Sequence, residues 1–345
     1  MLKLFSAIQN GLRIATSQAP RSDDQEAVQR PRPTEFVFFT ELYDTKWSSI
    51  RFYADMMQDI REMVEAKGYQ TRSATAWSEL GGADSLLVID NACIIAFARL
   101  GMLEGLLGHR YTLILGENID PVKNTFVGWD LAEYLIPLSF NENNILSRLI
   151  KGAEKVTWQN EPVHQLLLRL LPKHRVSYFP INGYRGSQLI PLYDRPLDVD
   201  ILIYGAMAYD RRAEIVRQLF VHLSDLRVAV LSNVFNLDEL MARSKVVIHI
   251  NSVDGCTHIP FAKIIKPLVN TKLLFVEMAE ELAASDLAAF VHLFEPGDMH
   301  GLVQRLRDVL TRFEEEQRRL ESLNPRGWIE QHYDFEQNAV ALLGL

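Results

Sequence analysis

Two doubly wound, Rossmann-like α/β domains facing a central cleft are the fold predicted for this chain, on three observations. Short apolar runs alternate with amphipathic helical runs, as parallel sheets covered on both faces require. The apolar runs stop at glycine, asparagine or an acid, where a strand would give way to a loop. A stretch rich in Gly, Pro and Asp, residues 182–198 (NGYRGSQLIPLYDRPLD), divides the pattern into two halves. A chain of 345 residues is long enough for two ordinary domains, and 48% hydrophobic with 23% charged residues is the balance of a globular protein.

Residues 1–34 stand apart from the first domain, which is expected over 35–185. MLKLFSAIQNGLRIA is amphipathic, carries Lys3 and Arg13 and has no acid. Three readings stay open for it: a terminal helix packed on the domain, an interfacial helix touching acidic lipid, or a transit segment. SQAPRSDDQEAVQRPRPTE then has too little apolar surface to offset the entropy of ordering it and reads as a linker. FVFFT is the first strand, followed by Glu41 and a helix over SSIRFYADMMQDIREMVEAKG that ends at Gly68, the residue suited to a helix C-cap. ADSLLVIDN is a buried strand ending at Asp90. ACIIAFARLGMLEGLLG falls short of a membrane span and reads as one helix. RYTLILGEN is a strand ending at Gly116, Glu117 and Asn118. The helix NENNILSRLIKGA, the strand KVTW, a helix from Glu161 and the strand RVSYFPI complete the half.

The second domain, over 186–324, opens with the strand DVDILIYGA, a break at Gly205 and a helix that starts at Asp210, Arg211 and Arg212. Strand, glycine turn and helix N-terminus form an anion site: backbone N–H groups and the helix dipole point to one spot, and arginine forks add charge. A phosphate ligand follows from that. RVAVLS, the helix LDELMARS, KVVIHIN, the helix FAKIIKPLV, KLLFVE and one long amphipathic helix over DMHGLVQRLRDVLTRFEEEQRRLESL continue the alternation. Gly205, Asn233, Asn251 and Glu277 stand at the carboxyl ends of strands, where doubly wound sheets bind ligands. Residues 325–345 form a last helix. Asp198-Val199-Asp200 has the spacing of a metal-binding D-x-D, but it begins a strand, at the edge away from the ligand crevice, so no metal is expected there.

The ordered set DVDILIYG…RR, VFNLDELMARSKVVIHIN, KLLFVE, LFEPGD and HYDFEQNAVALL resembles the C-terminal half of GT-B-type glycosyltransferases. The resemblance is to the bacterial subgroup related to the spore-maturation protein CgeB, similar to family 1-like glycosyltransferases. It extends more faintly over YTLILGENI, KVTWQNEPVHQLL and VSYFPINGY. It implies a nucleotide-sugar donor in the second domain and an acceptor, a glycan, lipid or protein, on the first, with the last helix crossing back to the first domain. Gly205, Arg211, Arg212, Asn233, Phe235, Asn251, Ser252, His258 and Lys263 are then the donor residues: an arginine clamps the diphosphate, and Asn233 and Phe235 meet the base. Asn251, Ser252, His258 and Lys263 meet phosphates or sugar. An inverting transfer needs a general base, for which Glu117, Asp90 and Glu41 are candidates, Glu117 first. Retaining members commonly hold the donor ribose with a glutamate in the helix that here reads THIPFAKIIKPLVN, which has no acid.

A glycosyltransferase of glycan or cell-envelope biosynthesis, using no metal and no cofactor beyond its co-substrate, is the resulting expectation. A catalytically silent GT-B-like partner protein and another nucleotide-using α/β enzyme are the alternatives. No G-x-G-x-x-G follows any expected strand, which counts against a dinucleotide site. A net charge of −8 argues against nucleic acid as partner. Cys93 and Cys256 read as buried thiols of a reducing compartment. The expected location is cytoplasmic, with residues 1–15 a candidate contact to the inner face of a membrane.

Overall fold

The computed structural model describes residues 31–39, 48–74, 79–115, 118–120, 125–127, 145–158, 164, 167–168, 171–177, 189–191, 196–205, 207, 210–232, 236–251, 255–256 and 259–345. Its first half holds β1 (Glu35–Phe38), β2 (Gln70–Ser73), β3 (Ser85–Asp90), β4 (Arg110–Leu115), an antiparallel pair β5 (Asn118–Asp120) and β6 (Thr125–Val127), then β7 (Lys155–Trp158) and β8 (Val176–Ser177). Six of these form a parallel sheet in the order β2-β1-β3-β4-β7-β8. The second half holds β9 (Val199–Tyr204), β10 (Val228–Leu231), β11 (Ser244–His249), β12 (Leu273–Glu277) and β13 (His292–Phe294). They form a second parallel sheet in the order β10-β9-β11-β12-β13. In both sheets the first strand lies between the second and the third, so the winding reverses beside it and opens a crevice at the carboxyl edge.

The apolar runs are central strands for the expected reason. β3, β9 and β12 are buried at every residue, as strands covered on both faces must be. Two strands escape the pattern. QTRS (β2) is a polar edge strand with no apolar run to announce it. HLF (β13) is a three-residue strand at the other sheet's edge.

Three expected helices are each broken in two. ACIIAFARLGMLEGLLG becomes Asn91–Arg99 and Leu103–Leu106, because Gly101 takes φ +66°, a left-handed conformation that ends the first helix. The long C-terminal amphipathic run divides at Arg312 into Met299–Thr311 and Phe313–Leu323. The last helix divides at Tyr333 and Asp334 into Pro325–His332 and Phe335–Leu343, and the Asp334 carboxylate caps the second piece through the Gln337 N–H.

That last break separates two cores. Ile329 belongs to the core of the second sheet, whereas Phe335, Ala339, Leu342 and Leu343 belong to the core of the first. Helix Pro325–His332 packs on helix Phe261–Val269, and Tyr333 meets Phe261 edge-to-face at 5.1 Å. Helix Phe335–Leu343 packs on Ser48–Ala66 and on β7 and β8, and Glu336 pairs with Lys67 at 2.8 Å. The chain's last residues therefore complete the domain in which its strands began.

Leu342 has no exposed surface. Leu342→Ala is expected to lower unfolding free energy by about 2–5 kcal/mol through lost burial and the cavity left behind, read as a lower denaturant midpoint at unchanged slope.

Candidate functional site

The site is built at the reversal between β9 and β11. β9 ends at Tyr204, and Gly205 follows at φ +142°; a Cβ there would stand 2.9 Å from Nη1 of Arg212. A glycine is needed so that this arginine can lie across the strand end. Helix Asp210–His222 starts a few residues later and delivers Arg211 and Arg212 to the carboxyl edge. Arg212 is 5% exposed and its Nε donates to the Ile250 carbonyl, just beyond β11, at 2.9 Å.

Arg211 reaches further along the edge, to β12. Its Nη1 donates to Glu277 Oε2 at 2.9 Å and to the Asn251 carbonyl at 3.0 Å, and its Nη2 donates to Glu277 Oε1. Glu277 is 1% exposed, and its Oε2 also accepts the Asn251 backbone N–H at 2.8 Å. The Asn251 side-chain amide donates to the Glu277 carbonyl at 3.4 Å. One carboxylate thus ties together the helix after β9, Asn251 beyond β11 and the end of β12. A buried carboxylate needs such a fork: the desolvation penalty is several kcal/mol per ion, and a bidentate arginine with an added backbone N–H offsets it.

Lys263 arrives from the other side, on helix Phe261–Val269. Its Nζ lies 5.1 Å from the centroid of the Tyr204 ring, and the Tyr204 hydroxyl donates to the Lys263 carbonyl at 2.8 Å. Burial, with the Arg212 charge adding to it, pushes the Lys263 ammonium down to about 8. Burial holds the Tyr204 hydroxyl well above its ordinary value, so it stays neutral. Among the described residues no carboxylate pairs with Lys263. Among the described residues, Arg211, Arg212 and Lys263 therefore stand at this edge with Glu277 as the carboxylate that Arg211 pairs with.

A second half-buried lysine sets the contrast. Lys272 is also pushed down to about 8 by burial, but its Nζ donates to the carbonyls of Ala242 and Ser244 at 3.0 and 3.2 Å, at the end of helix Leu237–Arg243, where the dipole favours a cation. The D-x-D residues lie at the amino end of β9 and are engaged by cations. Asp198 takes Arg243, and Asp200 takes Arg227 and Lys245, which hold the Asp200 carboxyl far below the usual carboxylate range.

Of the sequence-predicted donor residues, the structure brings Gly205, Arg211, Arg212, Asn251 and Lys263 to one edge. Asn233, Phe235, Ser252 and His258 lie outside the described residues, as do Glu117 and Glu41. The Ile259 N–H donates to Glu281 Oε2 at 2.8 Å. Asp90 has no exposed surface; it is the N-cap of helix Asn91–Arg99, its Oδ1 accepting the Cys93 N–H at 2.9 Å. Glu277 and Tyr204 are the site members that the motif reading left without a role. The signal for Glu277 was an acid closing the apolar strand LLFVE, since a charge directly after a buried strand needs a partner nearby.

No family model matches the chain, and no curated protein matches it by sequence. Solved structures match its fold. A sucrose-phosphate synthase from Thermosynechococcus elongatus aligns at a TM-score of 0.55 and 11% identity, over 90% of this chain and 97% of its own. HepE of Anabaena, solved in complex with UDP, aligns at 0.53 and 9%, over 91% and 100%. The β-glucosyltransferase of phage T4 aligns at 0.52 and 11%, over 90% and 99%. At these identities the likeness is one of architecture: two parallel α/β sheets arranged as in GT-B glycosyltransferases.

Lys263 makes the site's electrostatics measurable. Its ammonium titrates near 8 in the native state against an ordinary 10.5, so the native state disfavours the charged form. The resulting cost is fully present below about pH 8 and disappears as pH rises towards 10.5. Lys263→Met is therefore expected to be more stable than the parent by on the order of 3 kcal/mol at pH 7. Denaturant titrations of the two proteins should converge between pH 8 and 10.5.

Proposed function

We propose that this protein is a glycosyltransferase that moves a sugar from a nucleoside-diphosphate sugar to an acceptor hydroxyl. The observation that carries the reading is the convergence of Arg211, Arg212 and Lys263 on the carboxyl edge at the β9/β11 reversal, where an α/β sheet binds its ligand. In this transfer the acceptor oxygen forms a bond to the anomeric carbon. The bond from that carbon to the diphosphate oxygen breaks, and the electron pair leaves with the diphosphate. Fixed cations at the place where that negative charge grows supply the largest catalytic contribution. With guanidinium and ammonium groups in that role, the transfer needs no metal.

The acceptor's proton passes to a base from the first domain, for which Glu117 is the leading candidate and Glu41 the second. Asp90 is the weaker candidate, because its carboxylate is enclosed and committed to a helix end. The acceptor is a glycan, lipid or protein, and residues 1–15 are the segment suited to meet a membrane surface. Support for the donor class comes from the architecture shared with HepE and with the T4 β-glucosyltransferase, each solved with UDP.

A second reading, a catalytically silent GT-B-like partner, is favoured by helix Phe261–Val269, which carries no acid to hold a ribose. Thermal unfolding against UDP, GDP, CDP, dTDP and ADP, with and without Mg²⁺, separates the two. A ligand at about 100 times its Kd adds roughly 2.7 kcal/mol to the native state, which moves the midpoint by several degrees. The transferase reading expects such a shift from one nucleotide, independent of Mg²⁺ and reduced in Lys263→Met. A flat response to the whole panel would favour the silent partner.

A further inference from the structure

Glu277 is an unusual component for an anion site, because a carboxylate close to a bound phosphate repels it. Its contacts point inward along the sheet edge: two to the Arg211 guanidinium, one to the Asn251 N–H. We infer that Glu277 is a positioning residue for the donor site, holding the Arg211 guanidinium and the Asn251 backbone in the geometry that receives the nucleotide's phosphates without touching them itself. This rests on the donor reading above and adds a role for a residue that the reading does not otherwise use.

The arrangement favours positioning over charge balance for two reasons. Arg211 comes from the first turn of its helix, on a long side chain of high rotamer entropy, and a phosphate receives it best if the fork is already set. The Arg211 guanidinium is also bonded to the Asn251 carbonyl while the Asn251 N–H is bonded to Glu277. The carboxylate therefore sets the guanidinium and the Asn251 backbone relative to one another. Charge neutralisation alone would not need that closed circuit, since solvent reaches Arg211, whose side chain is 17% exposed.

The two roles predict opposite signs. If Glu277 contributed charge alone, removing it would leave the site more positive and strengthen nucleotide binding. As a positioning residue, its loss weakens binding. Glu277→Gln is the informative change, because an amide can place its oxygen where Oε2 stands and keep the Asn251 N–H bond. Its NH₂ group then faces the Arg211 Nη2–H, donor against donor, and displaces the guanidinium. Glu277→Asp keeps the charge but draws the carboxylate back by one methylene.

The experiment is calorimetric titration of the full chain with whichever of UDP, GDP, CDP, dTDP and ADP stabilises it most, repeated on Glu277→Gln, Glu277→Asp, Arg211→Met and the double variant Glu277→Gln/Arg211→Met. Because a hydrogen bond to a charged group contributes about 1.5–3 kcal/mol, both Glu277 variants are expected to bind about ten- to hundredfold more weakly. In the Arg211→Met background Glu277→Gln should change affinity by less than about threefold, since its effect runs through the arginine. Should Glu277→Gln not fold, Glu277→Asp carries the same expectation alone. Unchanged or tighter binding by the folded Glu277 variants overturns the inference and leaves the proposed function standing. Absence of binding to the unaltered chain by all five nucleotides overturns both.

Discussion

A carboxylate with almost no exposed surface holds the carboxyl edge of the second sheet together. Glu277 ends β12, and burying its charge is tolerable because Arg211 supplies a fork and Asn251 a backbone donor. Those three residues come from three crossovers that share no local sequence. Once they are joined, the helix after β9, Asn251 beyond β11 and the end of β12 keep fixed positions, and the remaining described side chains of the edge are arranged around them. Arg212 lies across Gly205 and bonds to Ile250, the residue before Asn251. Lys263 faces Tyr204, the residue before Gly205.

The two edges of this sheet treat charge differently, and the difference separates structure from site. At the amino edge every charge just described has a partner: Asp198 and Asp200 take arginines and a lysine, and Lys272 takes two carbonyls. At the carboxyl edge Arg211 has its acid, and Lys263 is half-buried with the Arg212 charge acting on it. Lys263 and Lys272 are both pushed down to about 8 by burial, yet they mean different things. Burial with good acceptors is an ordinary structural lysine. Burial next to a guanidinium at a strand end costs stability that a bound anion would recover, as stability is commonly given up at sites that bind.

The C-terminal segment links helix Phe261–Val269 to the core of the first sheet. Helix Pro325–His332 lies on helix Phe261–Val269, which carries Lys263, and the next helix completes the first domain's core. Only Tyr333 and Asp334 separate the two helices. Tyr333 packs edge-to-face on Phe261, at the start of the Lys263 helix, so the crossing between domains begins against the element that bears a site cation.

The sequence by itself determined the α/β class, the division into two sheets, most strands and five residues that stand at the carboxyl edge: Gly205, Arg211, Arg212, Asn251 and Lys263. These follow from local chemistry: apolar runs such as LLVID and ILIYG can only be buried strands, and glycine or a charge must end them. The polar edge strand QTRS was invisible because an edge strand buries too little to need an apolar run. The breaks at Gly101, Arg312 and Tyr333 were invisible because periodicity continues across them while the backbone does not. Only the tertiary structure decided what each site residue touches. Arg211 and Arg212 are neighbours in sequence with one expected role, yet one reaches Glu277 and the other the Ile250 carbonyl. Asp90, legible as a strand-end acid, is a buried helix cap. Pairing of charges depends on which crossovers meet at an edge, and strand order, not local sequence, sets that.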